Sequence, residues 1–324
     1  MGTSWKTYRE LIIDELKKHQ QTGKPKELYD PIDYILSLGG KRIRPVLCLM
    51  GAELFGADPK KALSLALGIE VFHNFTLVHD DIMDEAPLRR GKSTVHEKWN
   101  RDIAILSGDV MFVKAYEFIC QAEASQLPEL LKLFNQTAIE VCEGQQMDMN
   151  FELETKVEIP EYIEMIRLKT AVLLACSLKM GAIAAGATTK DADLLYAFGI
   201  NIGIAFQIQD DYLDCYAEQE DFGKRVGGDI ISNKKTYLLL RALEQASSGQ
   251  KAVLKNLLTA EKDETQKVKK ILELYNLLDV PALTKKAMEH YYELGMNALA
   301  EISDNEASKD HLIELAEMLM LRNQ

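Results

Sequence analysis

Between Pro160 and Pro281 the chain runs without a proline. A proline inside a helix removes a backbone donor and clashes with the preceding turn, so its absence over this length leaves room for long helices. Leu, Ala and Lys are the commonest residues of that stretch, and they lose little freedom in a helix. Apolar residues recur at helical spacing: Leu63, Leu67, Val71, Leu77 and Val78 form one stripe, and Ile163, Ile166, Leu173 and Leu174 another. Segments 61–78 and 171–186 are apolar on most faces, which predicts helices inside a large core. Alternating strand patterns are hard to find, and no Gly-rich turn of the strand-to-helix type occurs. The chain reads as all-α, a large helical bundle of about ten or more helices, with one domain over residues 1–324. Segments 20–27, 85–101, 153–160, 218–235 and 246–250 read as loops.

Charge narrows the partners. The chain has 38 Lys+Arg against 50 Asp+Glu, a formal charge of −12. That disfavours nonspecific nucleic-acid binding and attraction to anionic membranes. The first ten residues contain no apolar leader, and no apolar run reads as a membrane span. Cys48, Cys120, Cys142, Cys176 and Cys215 form no CxxC pair, which fits free thiols in a cytoplasmic protein.

Two aspartate clusters stand out. Asp80, Asp81 and Asp84 follow the apolar run ending in Val78-His79, and Asp210, Asp211 and Asp214 follow Ile200–Gln209. On a helix the first and last aspartate of each cluster share a face. Three carboxylates closing an apolar helix are costly, and more so at a C-terminal end, where the helix dipole is negative. A hard divalent cation offsets that cost, and magnesium takes one or two carboxylates with waters and phosphate oxygens completing its shell. Two such clusters on facing helices would hold several ions.

The scarcer cations lie close by in sequence. Gly39-Gly40-Lys41-Arg42-Ile43-Arg44, Arg89-Arg90-Gly91, Gly223-Lys224-Arg225 and Asn233-Lys234-Lys235-Thr236 combine flexible backbone with Lys and Arg. Arginine forks grip phosphate oxygens bidentately, lysine acts as a point charge, and glycine admits close approach of an anion.

These segments together resemble a trans-isoprenyl diphosphate synthase (polyprenyl synthetase). The likeness rests on GGKRIRP (39–45), HNFTLVHDDIMDEAPLRRG (73–91), SGD (107–109), EGQQMD (143–148), LKT (168–170), FQIQDDYLD (206–214) and GKRVGGDI…NKKT (223–236). It implies an all-α bundle of the isoprenoid synthase type around a deep central cavity, assembled as a homodimer. It also implies condensation of isopentenyl diphosphate with an allylic diphosphate, releasing pyrophosphate. By the same resemblance Asp80, Asp84 and Asp210 are magnesium ligands, supported by Asp81, Asp211 and Asp214, with three ions per site when substrate is bound. Arg89, Lys169, Lys224 and Lys234 complete the allylic diphosphate clamp, while Lys41, Arg44, His73 and Arg90 hold isopentenyl diphosphate. The Thr170 hydroxyl, the Lys169 carbonyl and the Gln207 amide face the allyl cation, and released pyrophosphate takes the proton. Gln145 and Asp148 are candidates for supporting roles. Phe75 and Thr76, five and four residues before Asp80, are the positions that set chain length. Phe followed by Thr resembles enzymes with C15 to C20 products, and geranylgeranyl types in particular.

Three alternatives stay open at this level. A di-iron bundle would need two Glu-x-x-His pairs, and only Glu70–His73 fits. A terpene cyclase shares the fold and the first cluster but replaces the second DDxxD. An inactive partner subunit would lack one cluster or part of the clamp.

Overall fold

The computed structural model describes residues 5–20, 23–217, 227–303 and 306–320. Sixteen α-helices and one two-stranded hairpin occur among these residues, which bears out the all-α reading. The helices divide into two compact groups.

The first group comprises residues 1–135, 176–196 and 302–312. It contains α1 (Trp5–Lys18), α2 (Lys26–Ser37), α3 (Ile43–Leu54), α4 (Leu63–Met83), α5 (Val95–Lys98) and α6 (Arg101–Ile119). Every residue from Leu65 to Phe72 on α4 and from Pro45 to Ala52 on α3 is buried. The apolar character of those segments is thus explained by burial on several faces at once. Helix α4 packs most extensively on α6. Between them Phe72, Phe75 and Phe112 form an aromatic cluster, and the Phe72 and Phe134 rings meet edge to face at 5.1 Å.

The segment expected to be a plain loop at 85–101 contains a hairpin, β1 (Leu88–Arg89) with β2 (Lys92–Ser93), and then α5. Arg90 and Gly91 join the strands with φ of 52° and 73°. Two successive positive φ values are the signature of a type I′ turn, which suits hairpin twist. With two residues per strand, no alternating pattern exists for sequence reading to find.

The second group comprises residues 136–175, 197–301 and 313–324. It holds most of α7 (Leu127–Leu153), α8 (Ile159–Ile166), the start of α9 (Val172–Ala185) and most of α10 (Thr189–Tyr216). It continues through α11 (Gly228–Ile231), α12 (Tyr237–Gln245), α13 (Ser248–Ala260), α14 (Glu264–Leu277), α15 (Val280–Ala300) and the end of α16 (Glu306–Met320). Pro160 and Pro281, which bound the proline-free stretch, both lie in first helical turns, where the missing N–H costs nothing. Side chains of Thr236, Ser247 and Asp263 cap α12, α13 and α14 by accepting from early backbone N–H groups. One core gathers Leu238, Leu254, Ile271 and Tyr275; another gathers Tyr162, Ile166, Ile204, Ile208 and Tyr237.

The segments Pro59–Met83 and Ile159–Ala185 are long and apolar enough to cross a membrane, with mean hydropathy of 1.2 and 1.5. That corrects the expectation that no run approaches such a length. Their most apolar windows are 61% and 78% buried inside the protein, as core helices are.

Candidate active site

Both aspartate trios close a helix. Asp80 and Asp81 occupy the last turn of α4, with Asp84 as its C-cap, its N–H bonded to the Asp80 carbonyl at 2.8 Å. Asp210, Asp211 and Asp214 lie in the last two turns of α10, which ends at Tyr216. Each trio therefore sits at the negative end of a helix dipole.

Protein donors bind particular members of each trio. Asp81, 2% exposed, accepts a bidentate pair from Arg89, Nη2 to Oδ1 at 2.7 Å and Nε to Oδ2 at 2.8 Å. Asp211, also buried, accepts from the Tyr162 hydroxyl at 2.5 Å and from the Tyr237 N–H at 2.9 Å. Burial pushes the Asp211 carboxyl up to about 7 against the pull of those donors, and burial beside Asp211 raises the Tyr162 phenol well above its usual range. Asp214 accepts from the Asp229 N–H at 2.9 Å and so anchors the start of α11. Asp80 and Asp210 are half-buried and Asp84 is exposed. The carboxylates thus divide into an embedded set (Asp81, Asp211) and a set with access to solvent.

Around α4 the first group collects cations. Arg42 pairs with Glu70, both nearly fully buried, and Arg89 pairs with Asp81. Arg44 and Arg90 make no ion pair among the described residues. Arg44 instead donates to His73 Nε2 at 3.1 Å, and Arg90 to the Gly39 carbonyl. Because arginine can only donate, His73 accepts at Nε2 and carries its proton on Nδ1. Burial, then Arg44 and Arg90, hold the His73 pKa well below its usual 6.5, so it stays neutral. Burial also brings the Arg44 pKa down to about 10, still fully charged near neutrality. Arg44 Nε is buried without a hydrogen-bond partner. Two guanidiniums without carboxylate partners, one with an unused buried donor, supply positive charge and a donor of the kind an anion would take up. Lys41, next to Arg42, is exposed.

The second group has its own cleft, lined among others by Asp148, Lys169, Thr170, Gln207, Asp211 and Lys234. Lys169 and Thr170 lie in a π-helical turn, Arg167–Ala171, between α8 and α9, where the Val172 N–H reaches back to the Arg167 carbonyl. Such turns widen a helix and recur at functional sites. Lys169 Nζ meets Asp148 at 2.5 Å, and the Thr170 hydroxyl donates to Gln207 at 3.2 Å. Gly144 on α7 makes this possible: a Cβ there would lie 2.3 Å from the Lys169 backbone nitrogen. Of the residues expected here, Lys224 lies outside the described residues.

Some supporting residues escaped sequence reasoning. Tyr162 holds Asp211. Lys267, 5% exposed, donates to the Ile231 carbonyl at 3.0 Å and to Asn233 Oδ1 at 2.7 Å, bracing the turn before Lys234. Arg9 on α1 donates twice to the Gly40 carbonyl at 3.2 Å. Their partners are distant in sequence, so no local pattern marks them; only Gly144, inside EGQQMD, carried a signal of close backbone approach.

Comparison with known proteins points one way. Residues 25–275 match the family profile described as Polyprenyl synthetase. A "Short chain isoprenyl diphosphate synthase" from Methanothermobacter thermautotrophicus is 36% identical over 315 residues, covering 94% of this chain and 97% of the relative. A crystal structure of a geranylgeranyl pyrophosphate synthase superposes with a TM-score of 0.94 at 44% identity, over 100% of both chains. A polyprenyl synthase from Caulobacter crescentus, solved with calcium and isoprenyl diphosphate, is 26% identical with a TM-score of 0.86, covering 98% of this chain and 95% of that one.

Proposed function

This chain belongs to the polyprenyl synthetase family, and on that premise we propose how it works as a short-chain trans-prenyltransferase. It condenses isopentenyl diphosphate with an allylic diphosphate, releasing pyrophosphate. The carrying observation is the pair of aspartate trios at the C-terminal ends of α4 and α10. There the helix dipole opposes carboxylates, and a cation relieves the opposition.

The donors fit a divalent metal: all are hard carboxylate oxygens, and Asp80, Asp84 and Asp210 have access to solvent where Asp81 and Asp211 are buried. Asp80, Asp84 and Asp210 would hold magnesium, three ions per site with substrate present. Bound magnesium supplies charge stabilisation for the departing pyrophosphate.

The chain's own groups do the rest. Lys169, Lys234, Lys224 and Arg89 grip the allylic diphosphate, and fixed cations lower the cost of the charge that develops as the C–O bond breaks. Pyrophosphate leaves with the electron pair. The Thr170 hydroxyl, the Lys169 carbonyl and the Gln207 amide face the allyl cation with dipoles and offer it no strong nucleophile. The isopentenyl double bond then forms the new C–C bond, and a proton passes to pyrophosphate. Lys41, Arg44 and Arg90 hold the isopentenyl diphosphate, and neutral His73 orients Arg44. With Phe75 and Thr76 on α4 before Asp80, the expected product is C15 to C20, with C20 favoured. Turnover stops when a chelator is added and returns with magnesium; turnover that persists in chelator removes the metal assignment.

The role given to His73 is an acceptor's role, which glutamine can fill. His73→Gln is expected to keep the KM for isopentenyl diphosphate within about threefold. His73→Ala raises it about tenfold, the scale of one hydrogen bond to a charged group. Initial-rate kinetics with varied isopentenyl diphosphate check this, and equal KM values for both variants would contradict it.

Three further readings complete the proposal. The one-domain reading is kept, because the chain passes repeatedly between the two helical groups and neither is a contiguous segment. A homodimer is supported by Leu106 and Val113, seven residues apart on α6 and exposed at 56% and 59%. Sedimentation at the 36.5 kDa mass of one copy would remove it. A cytoplasmic location is supported by the five cysteines, none of which forms a disulfide. Cell fractionation that finds the protein elsewhere would contradict this location.

A further inference from the structure

We propose that Glu70 and Asn74 are positioning residues for isopentenyl diphosphate, acting through Arg42. This rests on the assignment of Lys41 and Arg44 to that substrate.

The loop that carries these two cations has an unusual backbone. Gly39, Gly40 and Arg42 have φ of 79°, 120° and 53°. Glycine adopts such values freely, but arginine in the left-handed region costs about 1 kcal/mol and persists only where its surroundings hold it. What holds Arg42 is a buried network. Its guanidinium donates to Glu70 Oε1 and to the Leu36 carbonyl. Asn74, fully buried, donates from one amide group to the same Glu70 oxygen at 2.7 Å and to the Glu70 carbonyl at 2.8 Å. The side chains of Arg42 and Glu70 are 3% and 2% exposed.

The sequence groups Arg42 with Lys41 and Arg44 as one basic cluster. The structure separates it from them. With Arg42 drawn inward as the N-cap of α3, its neighbour Lys41 is exposed and Arg44 lies within the first turn of α3 beside His73. Glu70, His73 and Asn74 are spaced i, i+3, i+4 on α4, so one face of one helix fixes the loop at two points. Glu70 and Asn74 fix it through Arg42, and His73 fixes it through Arg44. Two further arginines secure loop carbonyls, Arg9 on Gly40 and Arg90 on Gly39. The direction of Lys41 and Arg44 thus depends on a carboxylate that never touches the substrate. Burying an ion pair contributes little net stability compared with an apolar pair of the same size. Its geometric effect on the loop is the better account of its presence.

The test is steady-state kinetics on Glu70→Gln, which keeps the shape of residue 70 and removes its charge. Isopentenyl diphosphate is varied at saturating allylic diphosphate, and then the reverse. The expected result is a KM for isopentenyl diphosphate at least tenfold higher, a KM for the allylic substrate within about twofold of wild type, and kcat at saturation nearly unchanged. Asn74→Ala, which removes one donor to Glu70, gives a smaller rise of about threefold in the same constant. It decides alone where Glu70→Gln does not fold. An unchanged KM for isopentenyl diphosphate, or a parallel rise in both constants with a fall in kcat, overturns the proposal. Wild-type turnover in the same assay tests the reaction itself, and the ratio of the two KM values tests Glu70.

Discussion

Asp80→Ala and Asp210→Ala each lower kcat/KM for condensation by about three orders of magnitude or more. Ionisation of an allylic diphosphate places charge on the leaving pyrophosphate, and losing several kcal/mol of metal-borne stabilisation at about 1.4 kcal/mol per factor of ten gives a loss of that size. The fold should tolerate both changes. Asp80 and Asp210 are half-buried at negative helix ends, where removing a charge relieves repulsion. Melting temperatures close to wild type are expected for both. Asp211→Ala behaves differently, because the Tyr162 hydroxyl and the Tyr237 N–H then lose their buried acceptor. It loses stability as well as rate. Thermal melts beside initial rates separate the two classes, and wild-type-like rates in Asp80→Ala or Asp210→Ala would refute the ligand assignment.

Phe75→Ala lengthens the product by at least one five-carbon unit in most chains released. Phe75 precedes Asp80 by five residues, about 7.5 Å along the helix axis, on the helix that carries the first trio. The side chain is half-buried. It stacks on Phe112 of α6 at 5.2 Å and meets His79 edge-on at 4.7 Å, so its position is set by aromatic neighbours on two elements. Truncating it removes a ring that those neighbours cannot readily replace, and leaves room for a longer chain beside α4. The loss of packing lowers stability, by less than the about 3–5 kcal/mol typical of a fully buried phenylalanine. Chromatography of the dephosphorylated products reads the outcome. An unchanged product in folded protein would mean that Phe75 is only a core residue.

The fold class was legible because its signals are repetitive: long proline-free stretches and apolar faces at a period of 3.6. The aspartate trios were legible because like charges closing an apolar run violate an ordinary burial rule. Three features were not. The Arg90-Gly91 hairpin is too short for a pattern. The π turn at Lys169 and Thr170 depends on Gly144, more than twenty residues earlier in the chain. The inward turn of Arg42 depends on Glu70 and Asn74 of another helix. Composition alone could not tell a cation that faces solvent from one that holds the loop in place.

The most direct test is product analysis. Purified protein is incubated with isopentenyl diphosphate, magnesium and each allylic primer in turn, and the chain length of the product is measured. The account predicts an all-trans prenyl diphosphate of C15 to C20, chiefly C20, with one pyrophosphate released per unit added. No condensation with any primer, from protein that is folded and supplied with magnesium, would contradict it.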